Sequence, residues 1–276
     1  MTAVTARIPS IRPTIAWTRR TQPFRRTLGT QIAVIAVVLG IWELAVRIIQ
    51  PSPLVLPSPS QVWNGAWHDR VNLWANTVPT LVETVEGVAA SIVVSAVVAT
   101  ALDFFPRARH SVLPLFVAAQ AVPVVAIAPL MVTWLGFGLP PKVILVVIAT
   151  FFPITVAAVQ GLNSADVEAG KLLRSMGASR WQIYRYLRAP SSLPFVITGI
   201  RVVMSYAVTA AVFAEYVGGE KGLGIYLQTQ ISTLRTNLVF AMVLVVVAFS
   251  VLLFLLTYLI EALIAPWERR RKAAGR

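Results

Sequence analysis

Residues able to carry chemistry are scarce in this sequence. It has no cysteine and only two histidines, His68 and His110, which lie far apart and outside any His-x-x-x-His spacing. Thiol catalysis, disulfides and Cys-ligated metals are excluded, and the histidine spacing offers no metal site. No convergent set of nucleophile, base and oxyanion donor stands out, which disfavours an enzyme. What remains are ionisable groups inside or at the ends of long apolar runs, among them Glu43, Arg47, Asp103, Arg201, Glu215 and Glu261. Charges at such depth are costly and are either paired or functional. Glu43 and Arg47 stand four apart and can pair along one helix. Asp103 and Glu261 sit near the ends of their runs, where they pair or snorkel. Gln120, Trp134, Tyr206 and Glu215 are the candidate solute path, since a route through apolar walls needs a few polar groups. Glu215 runs into the glycine-rich stretch Gly218–Gly224 (GGEKGLG), a place suited either to an outer gate or to an interfacial structural role.

These groups need elements that hold them in an apolar solvent. Hydrophobic residues make up 57% of the 276 and charged residues 13%, roughly half the charged share of soluble domains. A spanning helix takes about 20 mostly apolar residues. Six stretches qualify: Leu28–Ile49, Leu81–Phe105, Leu113–Leu135, Val143–Gln160, Leu193–Val217 and Leu238–Ile264. The first is too long for a cleaved signal peptide and no small-residue cleavage site follows it. The fold class is therefore an all-α integral membrane protein with six transmembrane helices. A net charge of +13 on a soluble chain would raise nucleic acid as a partner. Here the basic residues lie between the apolar runs. With the N-terminus inside, the outer segments hold only Arg70, Lys142, Lys221 and Arg235 of the 24 Lys and Arg. The positive-inside rule then puts both termini in the cytoplasm. The chain divides into a basic tail (1–27), a first span with a Pro-rich outer segment (28–79), a core (80–264) and a second basic tail (265–276).

Within the core, Pro114, Pro123, Pro129 and Pro153 fall inside predicted spans. A membrane bundle tolerates them as kinks, or uses them to shape a solute path. Ser91, Ser95 and Ala99, and the alanines 207, 210, 211 and 214, give small-residue stripes. Such stripes suit close packing inside one subunit or across a dimer seam.

The longest cytoplasmic loop, Gly161–Pro190, is too polar to span. Ser164 or Asp166 can cap a helix there, with Glu168 in its first turn. Ala169, Leu172, Leu173 and Met176 follow helical spacing and make one face apolar. Gly177 stands where a helix ends, Ser179 and Gln182 make a capping box for a second helix, and Pro190 closes it. The result is helix, glycine turn, helix. Its apolar face packs on the protein's own spans or docks into a partner. A DNA-reading role is remote for a loop tethered to lipid on both sides.

The run Glu168-Ala169-Gly170, with Gly177 nine residues after the glutamate and then Ile183 and Pro190, resembles the cytoplasmic "EAA" motif of ABC importer permeases. Gly170 replaces the third-position alanine of that motif, and Ala189 stands where leucine is usual. The similarity extends through Leu56–Trp63, Ala121–Ile144, Phe151–Ile154 and Ala211–Gly224, which look like the nitrate, sulfonate, taurine and thiamine-precursor branch. The resemblance implies a type I, MetI-like importer permease in the inner membrane. It implies that the loop is a coupling helix seated in a groove of a separate ATPase, with Glu168, Ala169, Gly170, Leu173, Gly177, Ala178, Ile183 and Pro190 at the contact. It also implies a solute-binding protein and a second copy of the chain as partners. The solute would be a small nutrient, a thiamine-type pyrimidine precursor ahead of sulfonate, taurine or nitrate.

The residues themselves agree with that division of labour. There is no G-x-x-x-x-G-K-[ST], so no cofactor is expected in this chain, and ATP and Mg would belong to the partner ATPase. A standalone secondary transporter is the alternative, but it predicts an internal repeat and midplane acids, and neither stands out. A non-transporting scaffold would leave the loop motif without a purpose.

Overall fold

In the computed structural model, residues 24–264 are described, and among them every regular element is helical. The basic tails expected at 1–27 and 265–276 lie outside the described residues, apart from 24–27, which are helical. The chain forms two units, residues 1–49 and 50–276. The first contains α1 (Phe24–Ile49), which carries the first predicted span. On it Arg47 Nε donates to Glu43 Oε1 at 2.9 Å, the i,i+4 pair expected from their spacing.

The second unit begins with an irregular Pro-rich stretch and α2 (Pro59–His68), started by a Ser58–Gln61 capping box. Three helices are long and apolar enough to cross a membrane by length and composition: α3 (Arg70–Phe104), α6 (Leu139–Asn163) and α12 (Thr236–Ile264). Two helix pairs reach that length and apolarity only when taken together across a bend. α4 (Pro106–Ala119) and α5 (Val124–Leu135) meet at 98°, and α9 (Ala189–Met204) meets α10 (Ala207–Gly218) at 44°. The expected single helices over Leu113–Leu135 and Leu193–Val217 are thus corrected to bent pairs. At the first bend the chain leaves the helix at Gln120 and re-enters after Pro123, whose ring supplies no N–H to continue the ladder. Pro114, Pro129 and Pro153 lie inside helices.

The small-residue stripes pack inside this chain. Ser91, Ser95 and Ala99 are buried on α3, and Ser95 Oγ donates to the Phe151 carbonyl of α6 at 3.2 Å. Ala207, Ala210 and Ala211 join Val88 and Val146 in one core cluster, so α10 also lies close against α3 and α6. Where lipid supplies no hydrophobic drive between helices, such close backbone contact is what holds them. α6 is the axis of this packing, since α3, α5, α9 and α10 all contact it.

Pro153 cannot donate to the carbonyl of Ala149, and Tyr206, at the bend between α9 and α10, reaches that oxygen with its hydroxyl in a long 3.5 Å contact. Asp103 pairs with Arg188, and Arg201 with Glu261, so the acids near the ends of the apolar runs are paired. Three short helices complete the unit: α7 (Val167–Ser175), α8 (Arg180–Ile183) and α11 (Leu223–Ser232). A π-helical turn, Tyr184–Arg188, joins α8 to α9. Pro190 was expected to end the second loop helix, but it sits in the first turn of α9. A proline there lacks only an N–H that the helix start does not need.

Candidate functional site

Two polar constructions sit at opposite ends of α6. The one beyond its C-terminus is the predicted loop. Asp166, rather than Ser164, is the N-cap of α7, its carboxylate accepting from the N–H groups of Glu168 and Ala169 at 2.8 and 3.2 Å. Glu168 and Lys171 pair on the exposed surface. α7 ends in a Schellman turn. Gly177 takes φ +86°, the Ala178 N–H reaches the Leu173 carbonyl at 2.9 Å, and the Gly177 N–H reaches that of Arg174 at 2.9 Å. Ser179 and Gln182 then cap α8 reciprocally, at 2.7 and 3.2 Å.

The apolar face predicted on α7 divides in two. Ala169, Gly170 and Leu173 are half-buried, with Gly170 facing Leu187. Leu172 and Met176 are 62% and 75% exposed. Ile183 is buried, Ala178 and Pro190 are half-buried, and Glu168 and Gly177 are exposed. The structure therefore brings seven of the eight loop residues together on one helix–turn–helix, with Pro190 beyond it in the first turn of α9, and leaves the large apolar side chains of Val167, Leu172 and the C-cap Met176 uncovered. Trp181 stacks on Tyr184, and both lie against Phe104 of α3, which seats α8 on the long helix.

The other construction lies at the start of α6 and holds Glu215. This carboxylate is fully buried. Oε1 accepts from the Thr80 hydroxyl at 2.6 Å, and Oε2 accepts from the Gly224 N–H at 2.8 Å. Thr80 Oγ1 accepts from the Leu223 N–H at 2.9 Å, and Asn76 Oδ1 accepts from that of Gly222 at 3.1 Å. Three successive backbone donors at the start of α11 are thus satisfied by side chains of α3 and α10. A helix start leaves such donors orphaned and favours an acid nearby. Gly222 holds φ +124°, and a Cβ there would fall on the Glu215 carboxylate, so no side chain fits. Beside this cap, Lys142 Nζ donates to Glu83 Oε1 at 2.8 Å in a buried ion pair. Lys142 was expected in an outer loop, but it lies within α6 and is buried. Further along α11, Tyr226 donates to Asp69 Oδ2 at 2.6 Å. Burial first, and then that carboxylate, hold the phenol above its ordinary range.

Glu215 is therefore the anchor of the Gly218–Gly224 loop in this structure. The four solute-path candidates are not gathered into one place. Tyr206 is half-buried against α6, Trp134 is exposed on α5, and Gln120 lines an open cavity with Gln160 and Thr198. Sequence reasoning missed Asn76, Thr80, Glu83 and Lys142. Threonine and asparagine in a span carry no signal of their own. The Glu83–Lys142 pair is 59 residues apart, beyond any helical spacing.

A profile of the family described as binding-protein-dependent transport system inner membrane component matches residues 91–270. Among characterised relatives, the formylaminopyrimidine transport permease protein of Halalkalibacterium halodurans is 32% identical over 232 residues, covering 84% of this chain and 92% of that protein. The riboflavin transport system permease protein of Chloroflexus aurantiacus is 31% identical, covering 83% and 87%. The taurine transport system permease protein of Escherichia coli is 28% identical, covering 89% and 92%.

Proposed function

This chain belongs to the binding-protein-dependent transport system inner membrane components and is a multi-pass permease of an ABC importer, and from that premise we propose how it is driven and what it carries. The α7–α8 loop docks on a separate ATPase, which binds ATP and Mg and does the hydrolysis. Glu168, Ala169, Gly170, Leu173, Gly177, Ala178, Ile183 and Pro190 build or support that contact. A second copy of the chain completes the translocation path, a solute-binding protein delivers the cargo from outside, and both termini face the cytoplasm. The observation that carries this reading is the exposed pair Leu172 and Met176 on a helix whose two ends are already fully capped. Its caps come from its own sequence, and its bare apolar face suits insertion into a partner.

The cargo is a small organic nutrient. A thiamine-type pyrimidine precursor stands ahead of sulfonate, taurine or nitrate, supported by the relative whose name specifies formylaminopyrimidine. A standalone secondary transporter finds no support in the comparisons.

The test is a detergent pull-down of the tagged chain with the ATPase encoded beside it. Wild type is compared with the Glu168→Lys, Gly177→Asp double variant. Stoichiometric co-purification by wild type and its loss in the variant is the expected result. Co-purification that survives the double substitution would move the contact off the loop. No association by wild type with a folded ATPase would overturn the coupling reading.

A further inference from the structure

Gln120, Gln160 and Thr198 line an open cavity of about 500 Å³ together with Arg201 and Glu261, between the α4–α5 bend, α6, α9 and α12. A volume of roughly 300–1,000 Å³ is the range of small-molecule sites. The two carboxamides and the hydroxyl-bearing residue are all exposed, although they belong to segments that cross lipid. Exposed carboxamides in hydrocarbon are costly, and non-helical backbone at that depth is tolerated only where it is covered by protein or lines a water-filled cavity. Both features meet here, because Gln120 begins the non-helical bend.

The chemistry of the lining is specific. Its cation is already engaged: Arg201 pairs with Glu261, its Nε donates to Thr257 Oγ1 at 3.0 Å, and its guanidinium lies 3.8 Å from the centre of the Tyr258 ring. Thr198 gives its hydroxyl hydrogen to the Pro194 carbonyl at 2.8 Å, which leaves its oxygen as an acceptor. Each glutamine presents an acceptor and two donors. The wall is mostly apolar, with Pro153, Val156, Pro194 and Phe195 around a few electrically balanced donors and acceptors.

We propose that this cavity is a solute-binding station on the path, and that it takes an uncharged heterocycle with adjacent donors and acceptors, of the aminopyrimidine type, rather than a sulfonate-like anion. The inference rests on the permease reading and deepens it. An aminopyrimidine edge matches a carboxamide in two parallel hydrogen bonds. A sulfonate would find the lining cation, Arg201, already paired with Glu261.

The absence of cysteine makes the test direct, because Ala157→Cys and Val202→Cys, at lining positions that hold no polar contact to the solute, each introduce the sole thiol of this chain. The assembled transporter is placed in inside-out membrane vesicles, and labelling by a small charged thiol reagent is timed with and without formylaminopyrimidine or taurine. Leu255→Cys, on the exposed apolar face of α12, serves as the lipid-facing control. Both cavity variants are expected to label far faster than the control. Formylaminopyrimidine at ten times its dissociation constant should slow them about tenfold, as the free fraction falls by 1 + [L]/Kd, while taurine leaves them unchanged. Labelling as slow as the control would overturn the aqueous cavity. Fast labelling that neither solute slows, or that taurine slows equally, would overturn the assigned class. The permease reading itself is tested by ATPase co-purification, so the two fail separately.

Discussion

α11 and α7 are short helices at the two ends of α6, and they solve the same problem in opposite ways. Each must satisfy the orphan N–H groups of its first turn. α7 does so locally, with Asp166 two and three residues from the donors it caps. α11 does so through the fold, with Asn76 and Thr80 lying 146 and 143 residues from theirs and Glu215 contributed by α10. A locally capped helix can form wherever the chain sets it down and can present a face to something else. A helix capped by its neighbours exists only when those neighbours are in place. It reports on their arrangement and, in return, fixes it. The end of α6 beside α11 is thus built to close the chain on itself, and the end beside α7 is built to offer a surface.

Breaking this contrast starts where the energy is largest. Lys142→Met leaves Glu83 as an unpaired buried charge and is expected to cost roughly 3–5 kcal/mol. Thermal unfolding of the detergent-solubilised protein should show it, and the Glu83→Leu, Lys142→Met double variant should regain much of the loss. An unshifted melting curve for the single variant would mean that the pair is not buried as described. Gly222→Ala puts a methyl group on the Glu215 carboxylate, an overpacking worth about 1–3 kcal/mol. Limited proteolysis should then cut within 218–224 sooner than in wild type, and an unchanged cleavage pattern would argue against the glycine requirement.

On the other side, Gly177→Asp meets no neighbour within 4 Å and carries only the left-handed backbone penalty of about 1–2 kcal/mol. The fold should survive while solute uptake driven by the ATPase is lost. Normal uptake by a well-expressed variant would remove the turn from the coupling path. Asp166→Ala removes one cap and should cost about 1 kcal/mol, seen as faster amide exchange confined to the start of α7. Exchange that spreads into α11 would break the separation between the two ends.

The same contrast explains what could be read in advance. Gly177 and the Ser179–Gln182 box are local signals, and each took the form its spacing required. The apolar runs gave the spans, but hydropathy is blind to direction, so the bends of 98° and 44° left no mark on it. Pro190 was misjudged because a proline suits both the end of one helix and the first turn of the next. Lys142 looked like loop beside Gly138, Pro140 and Pro141, and only the distant Glu83 explains its place inside α6. Glu215 could be singled out as a charge at the end of a span, but its partners on α3 and α11 come from packing.

The stretch Arg180–Met204 runs without a sharp bend from the loop to the bend beside Tyr206. At 1.5 Å per residue its 25 residues make a rod of about 37 Å. A tilt of about 5° at the loop would swing the far tip by about 3 Å, roughly the width of a water molecule, by the same helix geometry. The rod passes the cavity wall at Thr198 on its way. Under the proposed coupling, a modest push at its base would be geared into a displacement of that size at the far end.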